Sequence, residues 1–185
     1  MLSGHTFEIP YTVRHMVTNA AFAIAFGLSR DIPVSEIQST LTGPLKLGFR
    51  MMEVESRYGK LILDCYNANP ISMQNAIEHW LNLEADKPHV AILGDMLELG
   101  DMAASYHNMI GAILAEKTYS TLITVGEYSR FYRPQESDVT GMHYPTVESA
   151  ICDLDNIYLP SDAVILVKAS HGIHLEKIAE RLQRG

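Results

Sequence analysis

Four short, mainly apolar runs, at residues 61–63, 90–93, 121–125 and 163–167, constrain this chain most. They close on Asp64, Gly94, Gly126 and Lys168, and helix-length segments separate them. Short apolar runs of this kind suit buried strands, and strands alternating with crossover helices assemble into a doubly wound, mostly parallel sheet. All four ends then face one carboxyl edge. Open α/β sheets bind their ligands in the crevice outside that edge.

The segments between the runs read as helices. Asn69 can cap a helix with Pro70 at its first position, and Met73, Ile77, Trp80 and Leu81 fall on one face of it. A second begins near Met102, with Tyr106, Met109, Ile110, Ile113 and Leu114 on its inward side and Asp101 as a candidate cap. Others fall near residues 147–157 and 175–182. Residues 52–56 and 60–64 flank Tyr58-Gly59, a hairpin turn.

The first fifty residues follow another pattern. Residues 6–12 alternate weakly, as a short edge strand confined to an edge by Pro10. Residues 14–26 read as a helix stopped by Gly27 and apolar around most of its circumference, which calls for burial between layers. Val34, Ile37 and Leu41 mark a short amphipathic helix closed by Gly43-Pro44. These pieces make no self-contained core. A boundary falls between residues 45 and 51, assigned as 1–48 and 49–185.

Composition excludes several classes. A formal charge of −8 over 185 residues argues against a general nucleic-acid binder. Cys65 and Cys152 offer no disulfide framework. The longest apolar stretch, residues 20–28, is broken by Gly27 and too short to span a bilayer, and the first residues lack a signal-peptide pattern. A cytoplasmic protein with neither membrane nor nucleic-acid partner is the expectation.

Two stretches carry the chemistry: Asp64-Cys65-Tyr66-Asn67-Ala68-Asn69-Pro70, and Gly94-Asp95-Met96-Leu97-Glu98-Leu99-Gly100. Any one such loop is about as often a plain solvated turn as a site. Spelled this way together, they resemble the Mur ligases, and within that family the branch that adds D-alanyl-D-alanine to UDP-N-acetylmuramoyl-tripeptide. The resemblance implies a Rossmann-like C-terminal domain, preceded by a helical remnant of the central ATP-binding domain.

It also implies roles for residues. Asp64 matches an aspartate beside the nucleotide ribose, and a carboxylate accepts hydroxyl hydrogen bonds well. Asn67 goes to the nucleotide, whereas Tyr66 and Asn69 go to the dipeptide; capping alone also accounts for Asn69. His15 and Asn19 share one helical face and resemble the adenine-contacting Gly-x-His-Asn-x-x-Asn, with Val13 in the glycine position and Met16 after the histidine. A solvent-facing polar stripe is the plain alternative. Arg50 resembles the joint arginine that reaches nucleotide phosphate. Lys168-Ala169-Ser170-His171 resembles a Lys-Gly-Ser-Arg loop near the substrates, with Ala169 for glycine and His171 for arginine. That exchange gives up a permanent charge and a bidentate fork. Lys168, Ser170 and His171, with Asp95, Met96 and Glu98, complete the substrate set. Glu98 and His107 are read as structural rather than as an acid–base pair. His171 and His174 are too sparse for a metal site.

The implied reaction is amide formation driven by ATP with Mg²⁺, through an acyl phosphate attacked by the amine of the dipeptide. Positioning and charge neutralisation carry such chemistry, and no protein nucleophile is expected. No Gly-x-x-x-x-Gly-Lys-[Ser/Thr] phosphate loop occurs in the chain. The resemblance therefore covers the back of such an enzyme, with the N-terminal and central domains as its partners, and the chain alone is expected to be inactive. Two alternatives are a sister ligase adding another amino acid and a non-catalytic Rossmann-like module binding a nucleotide or a protein.

Overall fold

Alternating patterns after residue 50 become a six-stranded sheet in the computed structural model. Residues 4–10, 14–42, 50–133 and 139–184 are described, the side chains of the second stretch from residue 16. The chain divides into two compact units, residues 1–46 and 47–185. The expected boundary at 48/49, like the Gly43-Pro44 stop, falls at the edge of or within residues 43–49, outside the described residues.

In the first unit, α1 (Arg14–Ser29) packs on α2 (Val34–Thr42) through Ala20, Ile24, Ile37 and Leu41. Gly27 does not end α1. It lies inside the helix, where a Cβ would sit 3.0 Å from Ile37 Cδ1, so it allows α2 to approach closely. All-round burial of α1 is not observed either: Phe22 and Phe26 are 71% and 67% exposed. The expected edge strand is absent among residues 6–10. There the side chain of Gln38 donates to Glu8 O and accepts from Glu8 N, both at 2.9 Å, which satisfies the backbone a strand would have paired.

The second unit runs β1 (Met52–Ser56), β2 (Gly59–Asp64), α3 (Pro70–Asn82), β3 (His89–Gly94), α4 (Ala103–Ala115), β4 (Thr121–Val125), β5 (Thr140–Tyr144), α5 (Val147–Asp153), β6 (Ala163–Lys168) and α6 (Glu176–Arg184). Strand order is β1-β2-β6-β3-β4-β5, with β1 antiparallel to β2 and the rest parallel. The hairpin turn is Arg57-Tyr58. Gly59 instead opens β2 at φ +118°, where a Cβ would meet Ala163 O at 2.4 Å. Strand residues alternate between two cores. Leu61, Leu63, Ile165 and Val167 face α5 and α6, whereas Ile62, Ala91, Leu93 and Leu166 face α3 and α4. Trp80 anchors the second core, fully buried, with Nε1 donating to Val164 O at 2.8 Å.

Strand β5 has no counterpart in the sequence reading. It is an edge strand of five half-exposed or exposed residues and lacks the continuous apolar run of its neighbours. Helix α4 turns inward most of the expected stripe: Ile110 and Leu114 are buried, and Tyr106 and Ile113 pack against the same core. Met109 is instead 41% exposed, and Ala103, His107 and Gly111 are buried beside the stripe. Asp101 caps nothing; it lies within a 3₁₀ turn, Gly100–Met102, and Met102 precedes α4 without a side-chain bond. No helix among the described residues is long and apolar enough to cross a membrane.

The strand order places β6 between β2 and β3. Both neighbours lead to helices on one face, while β6 leads to α6 on the other. The chain thus leaves the sheet in opposite directions at adjacent strand ends, a topological switch point beside Lys168.

Candidate functional site at the carboxyl edge

Parallel register sets Asp64 beside Lys168 and Leu93 on the other side of Lys168. The Lys168 ammonium donates to Asp64 Oδ2 at 2.6 Å and to Asn67 O at 2.9 Å. Lys168 is fully buried, and Asp64 is 9% exposed. A lysine is almost never buried unless paired, so this ion pair fixes the first loop to β6. Asp64 Oδ1 has no hydrogen-bond partner among the described residues. Next along, Cys65 lies inside, its Sγ donating to Val167 O, and burial pushes its thiol up to about 12. Tyr66 and Asn67 turn outward. Asn69 caps α3: its Oδ1 accepts from Ser72 N at 2.8 Å, and Ser72 Oγ accepts from Asn69 N at 3.0 Å.

The loop after β3 is tied down at every step. Asp95, 4% exposed, accepts from the backbone amides of Glu127, Tyr128 and Ser129 at 2.6–3.2 Å. The carboxylate comes so close that a Cβ on Gly126, at φ +128°, would lie 2.5 Å from it. Asp95 O accepts from Ser170 N at 3.0 Å, Met96 N donates to His107 Nε2 at 3.0 Å, and Leu97 N donates to Ser170 Oγ at 2.9 Å. Ser170 Oγ in turn donates to Ala68 O at 3.4 Å. One serine therefore joins all three loops. Leu97 and Glu98 are left exposed at the turn, with Glu98 at φ +63°.

Outside this lattice lies a tier of rings. The Arg50 guanidinium carbon sits 3.9 Å from the centroid of the Tyr66 ring, Tyr66 stacks on His171 at 6.2 Å, and His171 meets His174 edge-on at 5.6 Å. A cation over an aromatic face is an attraction of about 0.5–1 kcal/mol at an exposed site. It holds Arg50 beside the loop that follows Asp64.

The nucleotide and substrate residues expected from sequence thus separate into two groups. Tyr66, Asn67, Glu98 and His171 are exposed, with Arg50 above Tyr66; Asn69 is exposed too, with its Oδ1 spent on the cap. Asp95, Met96, Lys168 and Ser170 lie inside, 5% exposed or less, and their polar groups are engaged by other loops. These four build the surface rather than line it. In the first unit, Asn19 is exposed on α1, and the side chain of His15 lies outside the described residues. His107 is structural, as read: both its ring nitrogens are engaged, so it forms no acid–base pair with Glu98. The Lys168–Asp64 pair was not foreseen. Its only signal was two opposite charges, each closing an apolar run.

No three His, Cys, Asp or Glu side chains converge on a metal site among the described residues. The arrangement offers outward donors and acceptors, one stacked cation and a largely covered carboxylate. That suits holding a ligand in place rather than attacking it.

Comparison with known proteins agrees with this geometry. The family described as "Mur ligase, glutamate ligase domain" matches residues 49–171. The UDP-N-acetylmuramoyl-tripeptide–D-alanyl-D-alanine ligase of Bacillus subtilis is 33% identical over 184 residues, 96% of this chain and 40% of that ligase. MurF from Acinetobacter baumannii superposes with a TM-score of 0.82 at 26% identity, over 95% of this chain and 39% of that one. MurF ligase from Thermotoga maritima, in complex with ADP, shares the fold at a TM-score of 0.74 and 20% identity, over 93% and 38%. The chain spans about 40% of the length of the curated relatives it matches.

Proposed function

The chain belongs to the Mur ligase family, and from that membership we propose that it is the C-terminal part of an ATP-dependent ligase joining D-alanyl-D-alanine to UDP-N-acetylmuramoyl-tripeptide in peptidoglycan precursor synthesis. One observation carries the reading. The loops after β2, β3 and β6 are locked together by Lys168 and Ser170 at a switch point, and these same loops spell the D-alanyl-D-alanine branch. The similarity to the Bacillus subtilis ligase supports the same branch.

On this reading Asp64 Oδ1 accepts from a ribose hydroxyl, while the ammonium on Oδ2 holds the carboxylate in orientation. Arg50, stacked on Tyr66, reaches nucleotide phosphate, and Asn67 meets the adenine. Tyr66, Asn69, Glu98 and His171 face the dipeptide. Asp95, Met96, Lys168 and Ser170 hold those residues in register, which is how positioning lowers a bimolecular barrier. The described residues do not fit a Mg²⁺ site, and the sequence has no phosphate loop. Phosphate and metal ligation are therefore assigned to the domains that the relatives carry beyond the matched 40%.

The test is a chimera in which this chain replaces the matched part of the Bacillus subtilis ligase, assayed for phosphate release from ATP with tripeptide and candidate amines. Turnover with D-alanyl-D-alanine is expected, and none from the chain by itself. A folded chimera that accepts only a different amino acid would assign it to a sister ligase. A folded chimera with no turnover on any amine would leave a binding module.

A further inference from the structure

His107 occupies a place where an apolar side chain would serve packing better. It is fully buried on α4 in line with Ala103, Ile110 and Leu114. Its ring stacks on Tyr132 at 5.1 Å and lies 5.6 Å from Tyr128. Both nitrogens have partners of fixed character. Nδ1 lies 2.7 Å from Ala103 O, which only accepts, and Nε2 lies 3.0 Å from Met96 N, which only donates. A single form satisfies both: the neutral ring with its hydrogen on Nδ1.

We infer that His107 is a positioning residue for the exposed Leu97-Glu98 turn, holding it through Met96 while the ring is neutral and releasing it when the ring takes up a proton. The inference rests on the ligase reading only in naming the dipeptide as what this turn faces. Met96 N is the link between two other anchors, Asp95 O on Ser170 N and Leu97 N on Ser170 Oγ. A proton on Nε2 would set N–H against N–H and break the middle anchor. The titratable groups facing the ring are Asp95, with Oδ1 4.0 Å from Nε2, and the phenols of Tyr128 and Tyr132. An imidazolium would draw Asp95 toward it and away from the amides of residues 127–129, so the loop after β4 would loosen too.

Burial lowers the affinity of His107 for that proton, with Ala103 O and Asp95 opposing the effect. A histidine held below its unfolded value of about 6.5 contributes stability that is complete above that pH and lost as pH falls through the folded value. The turn is therefore held at neutral pH and released on acidification.

The test compares wild type, His107→Leu and His107→Gln in the 185-residue chain by amide hydrogen exchange, as protection factors from pH 7.5 to 5. Glutamine keeps an acceptor near the Nε2 position but does not titrate; leucine keeps the packing and removes the acceptor. At pH 7.5, Met96 protection should fall roughly tenfold in His107→Leu relative to Ile92, the loss of one buried hydrogen bond, and should be retained in His107→Gln. Below about pH 6.5, wild type should lose Met96 protection while His107→Gln does not. Unchanged Met96 protection in His107→Leu, or the same pH profile in wild type and His107→Gln, overturns the inference. In the chimera, KM for D-alanyl-D-alanine should rise between pH 7.5 and 6 in wild type and less in His107→Gln. If the exchange result holds and KM does not follow, the positioning role stands and the dipeptide assignment falls.

Discussion

Lys168→Met tests the ion pair on which the candidate site is built. The methionine keeps most of the stem and removes the charge, so packing between β2, β6 and β3 changes little. The cost then comes from Asp64, whose side chain is 13% exposed and whose partner at 2.6 Å is gone. Removing one member of a buried ion pair costs about 3–5 kcal/mol, because the remaining charge stays desolvated. The residual exposure of Asp64 puts the expected loss at about 3 kcal/mol, the low end of that range. Asp64→Asn/Lys168→Met removes both charges and leaves mainly the Asn67 carbonyl without its donor, about 1–2 kcal/mol. The double variant should therefore be more stable than the single one. Urea unfolding followed by Trp80 fluorescence reads this directly, since the only tryptophan is fully buried against β6. A Lys168→Met protein within 1 kcal/mol of wild type, or a double variant as unstable as the single one, would refute the claim that this pair is desolvated and coupled.

Gly126→Ala should destabilise the second unit by at least about 2 kcal/mol in the same assay. It places a Cβ 2.5 Å from the Asp95 carboxylate at a positive φ. Of the two thiols, exposed Cys152 should react with a disulfide reagent in the native protein, while Cys65, buried and raised to about 12, should react only on unfolding. Two fast equivalents in the native state would contradict that burial. Phe22→Ser/Phe26→Ser should change stability by less than about 0.5 kcal/mol per site, because both rings are already exposed. It should also reduce concentration-dependent association in sedimentation, because it removes the exposed apolar rings of α1.

Much of the fold was legible because the central strands are buried on both faces. Residues 90–93 and 163–167 have no polar position to disguise the pattern, and the Asn69-Pro70 start of α3 is written in capping chemistry. Legibility failed where burial is partial or depends on a distant element. β5 pairs on one side only and exposes Thr140, so its pattern is that of a loop. Gly27 has the spelling of a helix stop, yet it answers to Ile37 on the next helix. Met109 lies at the edge of a stripe whose centre is Ile110 and Leu114, and the buried face extends the other way to His107 and Gly111, which hydropathy does not count as inward.

The candidate site shows the same division more sharply. Its loops could be found from sequence, since each opens where an apolar run meets polar residues. Whether a given polar side chain faces the ligand or the protein could not. Asp95 turns inward because three amides of another loop converge on it and Gly126 makes room, and nothing near position 95 encodes either fact. Lys168 meets Asp64 only because β6 inserts between β2 and β3, a strand order that local periodicity does not carry. Once the order is known the pairing follows from chemistry. Two opposite charges at neighbouring ends of buried parallel strands have little access to water, and each is the other's least costly partner. A charged residue closing a buried strand is thus first a candidate for a cross-strand partner. It becomes a candidate ligand contact only through the atoms that partner leaves free, which at Asp64 is Oδ1 alone.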